Sequence, residues 1–136
     1  MIVADTSGLL AYFNRQEPQH GAVSTVIDQS TVGIVVSPFV IAELDYLVFS
    51  RLGVEAELTV GRALTSGAYV LPQFDAEALE VAYGVVDRYR DQAIGLTDAS
   101  LVVLADRFST TKVLTLDRRH FEVLRTLDGR TFDVIP

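Results

Sequence analysis

A chain of 136 residues, 49% apolar and 21% charged, has the size and mix of one compact domain with its own core, which excludes a disordered segment. It contains no cysteine, which excludes disulfides and thiolate metal sites and suits a reducing cytoplasm. The net charge of −7 argues against a general nucleic-acid-binding surface, unless clustered acids are neutralised by bound cations.

The chain opens on Ile2-Val3-Ala4-Asp5-Thr6-Ser7. Three apolar residues run into a carboxylate and two hydroxyl residues. Leu9, Leu10 and Phe13 follow at helical spacing. The pattern predicts a short buried strand, an acid at its carboxyl end and a helix start. In open parallel sheets the binding crevice lies just outside those strand ends. Asp5 is also a good N-cap in its own right, so on its own it is as well explained by capping as by ligation.

Glu17-Pro18 breaks the first helix, and His20 to Gln29 forms a second with Val23, Val26 and Ile27 on one face. Gly33 to Ser37 is a β-branched run typical of a strand buried on both faces. Ser37-Pro38 starts the next helix, with serine at the N-cap and proline at N1. That helix runs to about Leu52, and Gly53 closes it. Glu43 lies among its apolar residues, whereas Asp45 points to another face. A further helix is expected over Val54–Ser66 and a third strand over Ala68–Pro72. Asp75 caps a long helix carrying Leu79, Ala82, Val86 and Tyr89.

Leu96-Thr97-Asp98 opens a very apolar helix, with Thr97 able to cap it and leave Asp98 free. Lys112 to Asp117 is a fourth strand ending, like the first, in an aspartate. Thr115 either orients the Asp117 carboxylate or is simply a β-branched strand residue. Arg118-Arg119-His120-Phe121 begins a short helix, and Thr131 to Ile135 is a fifth strand. No linker, repeat or low-complexity segment divides residues 1–136. No apolar run approaches the ~18 residues that span a bilayer, and no basic n-region suggests a signal peptide. Strands alternating with helices imply an α/β fold: a parallel sheet of five short strands with helices on both faces, three layers in all.

Asp5, Glu43, Asp98 and Asp117 then fall at strand ends or helix starts on one edge of the sheet. Four carboxylates gathered there repel one another unless cations lie between them. An oxygen-only donor set suits Mg²⁺ or Mn²⁺, and zinc is disfavoured. Two such ions ~4 Å apart promote phosphodiester cleavage.

These stretches carry a resemblance. IVADTSGLLAYF, the glutamate of SPFVIAELDYL, LTDASLVVLA and VLTLDRRHF are similar in order, spacing and context to the PIN-domain family, across essentially the whole chain. The size resembles the VapC-type toxins of bacterial toxin–antitoxin pairs. The resemblance implies a PIN fold and a ribonuclease dependent on Mg²⁺, with Mn²⁺ as substitute. It implies catalytic, metal-binding roles for Asp5, Glu43, Asp98 and Asp117, and favours Asp5 and Asp98 as primary ligands. Thr6 or Ser7 matches the family's hydroxyl position. Arg118, Arg119 and His120, beside Asp117, could touch the RNA backbone or form an ordinary charged first turn.

Two phosphate-handling folds are rivals. A receiver-type phosphoacceptor needs paired acids after the first strand and a lysine at the carboxyl end of the last; Asp5 stands alone and Lys112 begins its strand. A haloacid-dehalogenase-like site needs an aspartate where Ser7 stands. A catalytically weak interaction module is the remaining alternative. Finally, Phe39, Val40, Ile41, Leu44, Tyr46, Leu47, Val48 and Phe49 make the third helix apolar on more than one face. With Val54, Leu58, Val60 and Leu64 of the next helix they suggest a hydrophobic groove. The resemblance supplies a small antitoxin protein as its occupant, and the remaining apolar surface is expected to form a homodimer; the alternative is that these residues are all internal core.

Overall fold

The computed structural model describes residues 1–136. Five short strands, β1 (Ile2–Ala4), β2 (Ile34–Val36), β3 (Tyr69–Val70), β4 (Lys112–Leu114) and β5 (Asp133–Ile135), form one sheet in the order β3-β2-β1-β4-β5. Every pairing is parallel. Seven helices cover both faces: α1 (Thr6–Phe13), α2 (His20–Gln29), α3 (Pro38–Leu52), α4 (Val54–Leu64), α5 (Ala76–Arg88), α6 (Leu96–Arg107) and α7 (Arg118–Val123).

The order places the functional edge. From β1 the chain winds out through β2 to β3, then returns to the other side of β1 as β4 and β5. The reversal lies between β1 and β4, and a crevice opens at the carboxyl ends of strands where such a reversal occurs. Asp5 leaves β1 and Asp117 follows β4, so both acids flank that point.

Burial follows the apolar pattern. Val3, Ala4, Val35, Val36, Val113 and Leu114 are wholly buried, as expected of central parallel strands. In α6 every residue from Ala99 to Ala105 is buried. This helix packs on β1, α3 and α5, which explains why it is apolar on all sides. Ser100, its one polar buried residue, is satisfied by Ser37 at 2.8 Å, which ties the start of α3 to α6.

The strands are shorter than the apolar runs suggest, for a local reason. After Leu114 the Thr115 hydroxyl accepts the Asp117 backbone N–H at 2.9 Å, turning the chain out of the sheet towards the crevice. The helix α4 ends at Leu64 rather than Ser66, where the Thr65 and Ser66 hydroxyls donate to last-turn carbonyls. Gly95, not Thr97, is the N-cap of α6, and no side chain caps that helix.

The first turn of α1 lies unusually close to β4. A Cβ on Gly8 would stand 2.9 Å from both the carbonyl oxygen and Cγ of Leu114. That same carbonyl accepts the Asp5 N–H at 2.9 Å. Only glycine permits this approach, which holds the Asp5 turn against the end of β4.

Candidate active site

A cavity of about 440 Å³ opens at the carboxyl edge of the sheet. Asp5, Glu43, Asp98 and Asp117 all line it, together with Thr6, Ser7 and His120. The four carboxylates come from four separate stretches: the β1–α1 turn, α3, the first turn of α6 and the turn before α7. Leu10, Leu47, Arg51, Gly95 and Thr97 complete the wall.

Asp5 is held most firmly. One carboxylate oxygen, Oδ1, accepts the Thr6 N–H at 2.8 Å and so caps α1. The other, Oδ2, accepts the Thr115 hydroxyl at 2.8 Å and the Ser7 hydroxyl at 3.2 Å. Capping and a place in the acid cavity therefore coexist in one side chain. Burial raises the Asp5 pKa above the usual carboxylate range, and the charge of Glu43 adds to that. The bonds from Thr115, Thr6 and Ser7 pull it back. Ser7 in turn accepts the Leu116 N–H at 3.0 Å, so the turns after β1 and β4 are sewn together by hydroxyls. Thr115 orients the carboxylate of Asp5, not that of Asp117, because its hydroxyl faces across to β1 while accepting from Asp117 only through the backbone.

Asp98 and Asp117 share a neighbour. The Nδ1 of His120 lies 3.0 Å from Asp98 Oδ2 and 3.2 Å from Asp117 Oδ2. The Asp98 pKa is pushed up to about 6, chiefly by burial and then by the negative charge of Asp5; His120 works against this and Asp117 adds to it. Glu43 is more exposed and receives only a long contact of 3.4 Å from the Thr97 hydroxyl. Thr97 thus spends its side chain across the cavity rather than as a cap.

The other basic residues near Asp117 point elsewhere. Arg118 donates to the Pro136 carbonyl oxygen at 3.0 Å and lines a separate depression with Glu17 and Gln19. Arg119 is exposed and outside the cavity wall. Lys112 is exposed at the opposite end of β4, so no lysine serves these acids in the manner of a receiver domain.

The donor set fits a hard divalent cation. Its four carboxylates are hard oxygen donors in a concave, strongly acidic wall, with the His120 imidazole standing between two of them. Thr6, in the same wall, keeps its buried Oγ1 without a hydrogen-bond partner in the protein. As they stand, the acids ring the space rather than closing on one point: no three acid or imidazole side chains are gathered tightly enough to hold an ion.

Sequence reasoning placed His120 beside Asp117 but did not see it between two carboxylates. The signal was present, since positions three apart share a helix face. Arg51, two turns beyond Glu43 on α3, also reaches the cavity wall.

Comparison with known proteins agrees with this architecture. The model of the PIN domain family matches residues 2–126. Ribonuclease VapC26 of Mycobacterium tuberculosis is 55% identical over 135 residues, 99% of this chain and 100% of the relative. Among solved structures, M. tuberculosis VapC20, described as a sarcin–ricin-loop-cleaving toxin, superposes with a TM-score of 0.81 at 19% identity, covering 88% of this chain and 92% of the other. VapBC2 from Rickettsia felis, bound to a DNA fragment from its promoter, gives a TM-score of 0.71 at 15% identity, with all of both chains covered. With the parallel sheet, the acid-lined crevice at its reversal point and a family match over nearly its whole length, this chain belongs to the PIN domain family.

Proposed function

We propose that the chain is a metal-dependent endoribonuclease and the toxin of a type II toxin–antitoxin pair, acting in the cytoplasm. One observation carries the reading: four carboxylates from four stretches of chain line a single crevice. Asp5, Glu43, Asp98 and Asp117 would hold Mg²⁺, or Mn²⁺ in its place, with Asp5 and Asp98 as principal ligands. When bound, such an ion supplies an acidified water and offsets charge on the phosphodiester. The chain's own part is positional. Thr115, Ser7 and the Thr6 N–H lock the Asp5 carboxylate, and His120 keeps Asp98 and Asp117 together. The identity to a named ribonuclease supports RNA as substrate.

The purified protein is expected to cut RNA with Mg²⁺ or Mn²⁺, to stop with excess EDTA, and to recover when the ion is restored. Cutting that ignores EDTA would refute the metal reading; an ion-loaded protein that leaves all RNA intact would refute the nuclease.

For partners, we propose an antitoxin on the α3–α4 surface and a second copy of this chain. Tyr46, Phe49, Leu52, Val54 and Leu58 are large apolar residues of α3 and α4 left exposed, between 44% and 69%. Apolar surface of that extent marks an interaction site. Val81 and Tyr83 are two further exposed apolar residues of α5, on different faces of the helix, either of which could serve self-association. Co-expression with the protein of the adjacent reading frame should yield a complex that Tyr46→Glu disrupts. Light scattering should give a dimer, and a clean monomer at micromolar concentration would refute it.

A further inference from the structure

We propose that Arg51 is a substrate-binding residue of the crevice, gripping an RNA backbone phosphate that flanks the one being cut; this rests on the ribonuclease reading above. Arg51 is the one arginine or lysine that lines the acid cavity. It stands on the same stripe of α3 as Glu43 and Leu47, at successive four-residue steps, and all three reach the cavity wall. Two helical turns separate Arg51 from Glu43, about 12 Å along the axis. Arg51 is thus offset along the helix from Glu43 within the same cavity, a position suited to a phosphate flanking the reacting one.

The state of the side chain supports the assignment. Arg51 is exposed and forms no ion pair within 4.0 Å, although four carboxylates share its cavity. Arg15, Arg88 and Arg119 are likewise unpaired but lie outside the cavity wall, while Arg90, Arg107, Arg118, Arg125 and Arg130 are engaged with protein oxygens. Arg51 also lies in the last turn of α3, where any cation complements the helix dipole. A dipole role, however, is equally served by a residue facing away from the crevice. A planar guanidinium with its donors free, at the mouth of a cavity otherwise hostile to polyanions, is suited to bidentate phosphate contact. It adds one positive charge, beside any bound cations, at an acidic site in a chain of net charge −7.

The test uses full-length protein loaded with Mg²⁺ and a short RNA oligonucleotide spanning a site that the wild type cuts in purified bacterial RNA. Arg51→Ala should raise KM roughly tenfold, a charged hydrogen bond's worth, with kcat within about twofold of wild type and an unchanged melting temperature. Arg51→Lys should recover part of the loss. The slope of log KM against log salt should become shallower by about 0.7, the signature of one lost phosphate contact on a single strand. A single neutral methylphosphonate, moved along the oligonucleotide, should weaken the wild type at one flanking position and leave Arg51→Ala indifferent there. An unchanged KM and salt slope would overturn the proposal. So would a collapse of kcat alone, which would put Arg51 at the reacting centre. Unaltered RNA kinetics with weakened antitoxin binding would assign the residue to the protein partner instead. A wild type that cuts no RNA removes the ribonuclease reading and this proposal with it, a result separate from any difference between variants.

Discussion

Asp98→Asn should lower cleavage by about a thousandfold while making the metal-free protein more stable at pH 8. The first effect follows from the metal-ligand role proposed for it above. A ligand that helps an ion neutralise developing charge is worth several kcal/mol of barrier, and about 4 kcal/mol is a thousandfold in rate. The second follows from its pKa, which folding raises from 3.8 to about 6. Below pH 4 Asp98 is protonated in both the folded and unfolded chain. Between pH 4 and 6 only the folded chain keeps the proton. Above pH 6 the folded chain must carry a buried charge beside Asp5, so the stability from this group, complete below pH 4, is lost as pH rises through 6. Asparagine never takes that charge. The variant should therefore exceed the wild type by on the order of 2 kcal/mol at pH 8 and match it near pH 4. Asp98 caps nothing, so the start of α6 survives the change. Adding Mg²⁺ should reverse the order, since ligand binding stabilises only the chain that binds it. Melting curves across pH, with and without Mg²⁺, decide the matter. A metal-free variant less stable at pH 8 would make Asp98 a structural residue.

Asp5 behaves differently under the same substitution. Its Oδ2 accepts from two hydroxyls, and Thr115 already accepts from the Asp117 N–H. An amide nitrogen at that position would require the Thr115 and Ser7 hydroxyls to turn from donors into acceptors, so the gain from removing charge is offset by a rearranged hydroxyl network. Asp98 is the cleaner probe of charge in the crevice.

What the sequence made legible was whatever depends on local pattern. β-branched runs marked β1 and β2, Ser37-Pro38 marked the start of α3 and Gly53 its end, and Asp75 capped α5 through the Ala78 N–H. Four acids at strand ends and helix starts were enough to foresee one crevice. What stayed hidden depends on contacts across the sheet. Thr115 and Ser7 meet only because β1 and β4, more than a hundred residues apart, are neighbours. The apolar run overstates β4 because the Thr115 hydroxyl turns the chain out of the sheet after Leu114. Thr97 had the composition of a cap but was drawn across the cavity to Glu43.

Gly8→Ala should destabilise the fold, against the usual rule for helices. An alanine replacing glycine inside a helix normally gains up to about 1 kcal/mol. Here the added Cβ meets the Leu114 carbonyl oxygen and Cγ, each at 2.9 Å. The Leu114 side chain can rotate away, but its carbonyl cannot. It accepts the Asp5 N–H, and β4 is locked between β1 and β5. Either α1 lifts from the sheet or the end of β4 is pushed out, a form of overpacking that costs about 1–3 kcal/mol net and lowers Tm by roughly 5–10 °C. Gly8→Val should cost more, because a branched side chain cannot turn its methyls from the strand. Gly21→Ala in α2 is the matched control. Nothing lies within 4 Å of its added Cβ, so the ordinary helical gain applies there. Cleavage should fall further than stability in Gly8→Ala. The Asp5 turn and the Ser7 bond to Leu116 are both moved by the same displacement, and a 1 Å error at a reacting centre can cost about a hundredfold. Equal melting temperatures for Gly8→Ala and the wild type would show that α1 is free to shift, and that the close approach to β4 is not what positions Asp5.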